Sequence, residues 1–167
     1  MSASPLIQNQ DAIVLEVSIA APPDRVFRAL TDPNQLMQWW GQKGMYRHTK
    51  WTADLRPGGS WRSEGVAYSD GSPYHVTGEY VEIDPPRRLA FTWMPSWSGS
   101  LKTFVSFDLM PVSSGTLVRL RHSGFDAAPA AAKDHYQGWV RVLAWMQEFV
   151  EHGTTVADRP AIEHKQS

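Results

Sequence analysis

The sequence predicts an α+β domain in which an antiparallel sheet wraps around one long C-terminal helix. Three observations predict it: an opening segment of period-2 alternation, a series of short alternating segments punctuated by turn residues, and one long closing segment of period 3.6. In AIVLEVSIA, Ile13, Leu15, Val17 and Ile19 share one parity while Glu16 and Ser18 share the other, the mark of a strand with one buried face. APPDRVFRAL then changes period. Pro22 and Pro23 end the strand and open a short helix with Val26, Phe27 and Leu30 on its apolar side. TDPNQLMQWW repeats the device, with Thr31 or Asp32 as N-cap, a stripe of Leu36, Met37 and Trp40, and Gly41 as the stop.

From Lys50 to Ser123 the helical period is absent, and turn signals recur as RPGG, SDGSP, DPPR, SWSGS and VSSGT. The segments between them, KWTADL, SWRSEG, YHVTGEYVEI, RLAFTWM, TFVSFDLM and TLVRLRH, read as six strands. Tight turns make neighbours antiparallel, so with the first strand a bent seven-stranded antiparallel sheet is expected, with two short helices inserted after its first strand. The stretch AAKDHYQGWVRVLAWMQEFVEHG closes the pattern. Trp139, Val142, Leu143, Met146 and Val150 fall on one face, flanked by Tyr136, Trp145 and Phe149, a sector wide enough for a helix clasped deeply by the sheet. The expected organisation is a flexible lead-in over 1–11, a single domain over 12–152 and a flexible tail over 153–167.

Composition narrows function. The chain has 167 residues, a net charge of −1 and no cysteine, which leaves disulfides and thiolate chemistry out and gives no field to recruit nucleic acid. The first residues lack the basic and long apolar regions of a secretion signal, and no apolar run approaches the roughly 20 residues a membrane span needs. A cytoplasmic protein without a membrane span is expected. The six histidines form neither H-x-H nor H-E-x-x-H, and no phosphate loop, dinucleotide fingerprint or nucleophile elbow occurs, so neither metal nor cofactor is expected.

The succession PPDRVFRALTDPNQLMQWWG, WTADLRPGGSWR, GEYVEIDPPRRLAFTW, VSFDLMP with GTLVRLRHSGF, and HYQGWVRVLAWMQEFV resembles the family of the C-terminal domain of the activator of the ninety-kilodalton heat-shock protein's ATPase. That family lies in the START-like helix-grip superfamily, also called SRPBCC and including Bet v 1-like folds. The resemblance covers residues 13 to 151. It implies a sheet gripping the C-terminal helix with a deep cavity between them, the place where members of the superfamily carry lipids, hormones or polyketides or catalyse cyclisation.

The residues themselves point to the same gap. Trp93 shares parity with Leu89 and Phe91, Phe107 with Val105 and Leu109, and His122 with Val118 and Leu120, which aims all three at the interior. Trp61 enters from another strand, and Tyr136, Trp139 and Leu143 from the helix. Trp40 is expected to face the gap, and Trp39, about 100° away on the helix, to seal against the following loop or lie partly exposed. The expected function is therefore the binding of a small apolar or aromatic molecule by Trp40, Trp61, Trp93, Phe107, His122, Tyr136, Trp139 and Leu143. Catalysis would instead need converging polar groups, such as His122 with Glu64 or Tyr80, as in a cyclase or hydratase. The strand carboxylates Asp54, Glu64, Glu79, Glu82 and Asp108 read more simply as surface charges paired with arginines. The resemblance adds the heat-shock chaperone as a candidate partner, and Trp97 and Trp145 offer a surface for a homodimer.

Overall fold

The computed structural model describes residues 4–5, 12–99, 101–126 and 128–162. Strand β1 (Ser4–Pro5) and β2 (Ala12–Ile19) precede helices α1 (Pro23–Thr31) and α2 (Pro33–Trp39). There follow β3 (Gly41–Gln42), β4 (Tyr46–Ala53), β5 (Ser60–Ala67), β6 (Pro73–Asp84), β7 (Arg88–Pro95), a 3-10 turn at Ser96–Ser98, β8 (Thr103–Val112), β9 (Gly115–Ser123) and α3 (Pro129–His152). All strands form one antiparallel sheet in the order β1-β2-β9-β8-β7-β6-β5-β4-β3. Among the described residues the sheet has nine strands rather than seven. The two additions, β1 and β3, are dipeptides at its two edges, too short to carry an alternation that a period-2 reading could detect.

Register brings the inward parities into line. Leu15 pairs with Leu120, Leu120 with Phe107 and Phe107 with Leu89, so one continuous apolar row crosses four strands and meets α3. Val142, Leu143, Met146 and Phe149 of α3 are buried in that row, and each such side chain contributes about 1.5–3 kcal/mol by leaving water. The outward parity carries charge: Arg88 lies 2.8 Å from both Glu82 and Asp108, and Arg119 lies 2.7 Å from Glu16. Among the described residues no helix is long and apolar enough to cross a membrane.

The tryptophan doublet departs from the expected register. Asp32 caps α2 by accepting from Asn34 N–H at 2.9 Å, but the helix ends at Trp39. Its buried face is Leu36 and Trp39, one turn apart, not Leu36, Met37 and Trp40. Trp39 is fully buried and donates its indole N–H to the Ala29 carbonyl of α1 at 2.8 Å. Trp40 is the C-cap, with φ −91° and ψ 106°, and this extended backbone swings its ring out of the helical register and stacks it on Trp39.

The C-terminal expectation also needs correction. Of the stretch expected as a flexible tail over 153–167, residues 153–162 pack back over α2 and β3, and 163–167 lie outside the described residues. Gly153 takes the left-handed cap at φ 72°, after which Val156 N–H donates to the Gln38 carbonyl and Ile162 N–H to the Lys43 carbonyl, each at 2.8 Å. Arg159 is buried, and its guanidinium donates to the carbonyls of Trp39, Gly41 and Trp145. A polar composition concealed this because the groups it satisfies are backbone carbonyls distant in sequence. The expected lead-in over 1–11 falls outside the described residues except for Ser4 and Pro5, which pair with Glu16 and Leu15.

Candidate functional site

Between α3 and strands β4 to β7 lies a cavity of ≈ 590 Å³, within the range of small-molecule sites. Its walls are mostly aromatic: Trp40 from the end of α2, Tyr46, His48 and Trp51 from β4, Tyr74 from β6, Trp93 from β7, and His135 and Trp139 from α3. Exposed residues at its rim are Ser72, Pro73, Ser96, Trp97 and Asp134, and Asp134 is the one acid or base other than histidine and tyrosine among the described lining residues. Gly138 leaves a gap in the helix face towards this space, with nothing within 4 Å of where a Cβ would stand.

Two histidines set the walls. Trp139 donates its indole N–H to His122 Nδ1 at 2.8 Å; because an indole nitrogen can only donate, Nδ1 is bare and the ring hydrogen sits on Nε2. That Nε2–H donates to Thr103 Oγ1 at 2.7 Å, and the threonine hydroxyl donates to the Trp93 carbonyl at 3.2 Å. By the same logic Trp93 donates to His135 Nε2 at 3.1 Å, and His135 Nδ1–H donates to the Ala131 carbonyl at 2.8 Å. Both imidazoles are thereby held neutral. Burial, reinforced by the neighbouring His135, keeps the His122 pKa well below its ordinary value, and burial also lowers that of His135. Each histidine takes up the polar edge of an indole and leaves its ring as apolar wall.

The wall formed by β4 is different. A register shift between His48 and Lys50 places two consecutive residues, Thr49 and Lys50, outward, so Tyr46, His48 and Trp51 all face the interior despite their mixed parity. Trp40 donates to the Tyr46 hydroxyl at 3.1 Å, and burial pushes the Tyr46 pKa up to about 12. His48 Nδ1 meets the Tyr74 hydroxyl at 3.3 Å, and burial pulls the His48 pKa down to about 4.

Of the sequence-selected residues, Trp40, Trp93 and Trp139 stand in the cavity wall. Trp61 and Phe107 line a separate void of ≈ 20 Å³, the space of about one water. His122 sits behind Trp139 rather than among the lining residues, Leu143 is fully buried in the core, and Tyr136 packs half-buried against that core. His122, Glu64 and Tyr80 do not converge. Glu64 pairs with Arg62 at 3.3 Å on the outer face, and Tyr80 borders the small void. The wall residues that sequence reading missed are Tyr46, His48, Trp51 and Tyr74. The available signal was the phase slip in YRHTKW, where ring-bearing residues stand two and then three apart.

The chain matches the family model described as Activator of Hsp90 ATPase homolog 1-like protein over residues 20–151. It matches no curated protein. Among solved structures, a protein from Chromobacterium violaceum is 28% identical, with TM-score 0.72 over 84% of this chain and 98% of that one. CalU16 from Micromonospora echinospora is 25% identical, with TM-score 0.64 over 85% of this chain and 77% of its own. The AHSA1-like protein from Aeromonas hydrophila shares the fold, with TM-score 0.70 over 92% and 99% of the two chains at 21% identity.

Proposed function

Because the chain belongs to the Activator of Hsp90 ATPase homolog 1-like family, we propose that it is a binding protein that holds a small, largely aromatic molecule between α3 and the β4–β7 half of the sheet. The observation that carries this reading is the ≈ 590 Å³ cavity walled by Trp40, Trp51, Trp93 and Trp139. Planar rings on several sides favour flat, polarisable ligands, since offset and edge-to-face contacts add about 0.5–1.5 kcal/mol per ring pair beyond area burial. The neutral, internally bonded state of His122 and His135 supports wall-building over proton transfer.

Gly138 supplies the test. Native mass spectrometry of the protein purified from its own host should detect a bound small molecule, and Gly138→Leu, whose Cβ stands in open space beside the cavity, should abolish that mass while leaving the fold intact. A host-purified protein that carries nothing, or a Gly138→Leu variant that carries the same molecule in the same amount, would sink the reading.

A further inference from the structure

The β4 wall contains two solvent-shielded ring nitrogens without a partner. Trp51 Nε1 and His48 Nε2 are both shielded from solvent and have no hydrogen-bond partner among the described residues. Their rings meet edge to face with centroids 4.9 Å apart, and both residues line the cavity. By contrast, the indoles of Trp40, Trp93 and Trp139 in the same cavity each donate to a protein acceptor. A buried polar atom left unpaired is costly and uncommon in a folded protein, so two side by side in a ligand-sized space call for a partner from outside the chain.

The chain is built to keep them there. The bulge at Thr49 and Lys50 turns Trp51 to the same face as His48, which regular alternation would not do. Opposite His48 stands Gly65, where a Cβ would come within 2.4 Å of the Tyr74 hydroxyl; the missing side chain is what lets Tyr74 reach His48. We propose that Tyr74 donates to His48 Nδ1, which puts the imidazole hydrogen on Nε2, and that His48 Nε2–H and Trp51 Nε1–H together receive one neutral oxygen acceptor, of the carbonyl type, on an aromatic ligand.

Charge decides the class. No lysine or arginine is among the described lining residues, and the one carboxylate, Asp134, stands at the rim, so an anionic oxygen would be desolvated without a counter-charge. The site selects an uncharged ketone, ester or quinone over a carboxylate. To reach the two hydrogens, the ligand oxygen parts the edge-to-face contact of His48 and Trp51. This inference rests on the reading of the cavity as a ligand site and adds the chemistry of the ligand.

The test uses three naphthalenes of similar size: 2-acetylnaphthalene, 2-isopropylnaphthalene and 2-naphthoate, titrated into the whole protein by calorimetry. The ratio of ketone to hydrocarbon affinity should fall roughly tenfold in Trp51→Phe and in His48→Phe, the worth of about one net hydrogen bond, and naphthoate should bind more weakly than the ketone at neutral pH. In the unaltered protein, the ketone should move the Trp51 indole N–H resonance downfield and the hydrocarbon should not, a readout that needs no variant to fold. If the ketone and hydrocarbon bind but the ratio is the same in all three proteins and the resonance stays in place, the acceptor site is wrong and the cavity reading stands. If none of the three binds, both fail.

Discussion

Around β2, β8 and β9 the sheet meets α3 through Leu15, Val17, Leu120, Leu143 and Met146, each at most 2% exposed, whereas around β4 to β7 the same helix faces Trp51, Tyr74 and Trp93 across a cavity of ≈ 590 Å³. The difference lies in side-chain shape and polarity. Branched and linear aliphatic chains interdigitate to close packing and have no polar edge to satisfy. Indoles are rigid plates with one polar edge, so Trp139, Trp93 and Trp40 are positioned by their acceptors, His122, His135 and Tyr46, and not by space filling alone. A histidine marks each region, buried in one and half-buried in the other. His122 has both ring nitrogens bonded within the closed wall, and His48 has one nitrogen bonded and one unused in the open wall.

Truncation in the closed region should have the largest effect. Leu143→Ala is expected to lower stability by about 2–5 kcal/mol in urea unfolding, because the solid packing leaves a cavity where the side chain was. A loss below about 1 kcal/mol would mean that the aliphatic end is as loose as the aromatic one. Next comes the histidine contrast. His122→Phe leaves the Trp139 indole N–H unpaired and should cost about 1–3 kcal/mol, whereas His48→Phe removes one unpaired nitrogen and the single 3.3 Å bond to the half-buried Tyr74 hydroxyl, and should cost less, about 0.5–1 kcal/mol. Equal losses would erase the distinction between the two walls.

Acid sharpens the same contrast. Histidines held neutral in the folded chain bind protons first when the chain unfolds, so stability is full above the ordinary pKa of 6.5 and declines as pH falls below it. For His48 the decline runs from pH 6.5 to about 4, and His122, also held well below 6.5, adds its own decline as pH falls. Each histidine adds a slope of about 1.4 kcal/mol per pH unit in that window, and His122→Phe should reduce the total slope by one such share. Urea midpoints that do not change between pH 6.5 and 5 would contradict the neutral assignments. The smallest effect belongs to the rim: Trp97→Ala, at a side chain 60% exposed, should change stability by less than about 0.5 kcal/mol while speeding release of any bound naphthalene in stopped-flow fluorescence.

The architecture was legible wherever the period was sustained. Ile13 to Ile19, the strands carrying Trp93 and Phe107, and the α3 stripe all read correctly, because burial of one face imposes alternation or a helical repeat over several residues. The site was legible only where a wall residue followed that repeat, as Trp93 and Trp139 do. His122 was chosen by a sound parity argument, and it does face inward, but parity does not reveal that Trp139 stands between it and the cavity. His48 and Trp51 were hidden because a single extra residue reverses parity within one strand. Trp40 reached the expected side by a route the helical wheel excluded, through an extended cap. Arg159 gave no local signal at all, since its partners are carbonyls more than a dozen positions away or on another element.

The hold of Arg159 on the carbonyls of Trp39 and Gly41 bears on what keeps the cavity wall in place. These are the two neighbours of Trp40, so the guanidinium fixes the backbone from which a cavity wall is hung. The family match ends at residue 151, eight positions before that arginine. The stretch that secures the wall therefore lies beyond the matched residues, and it is tied to α2, β3 and α3 by its own hydrogen bonds. Arg159 thus works as a latch set outside the matched scaffold: it clamps the backbone on both sides of one cavity-wall ring without belonging to the sheet or the helix that enclose the cavity.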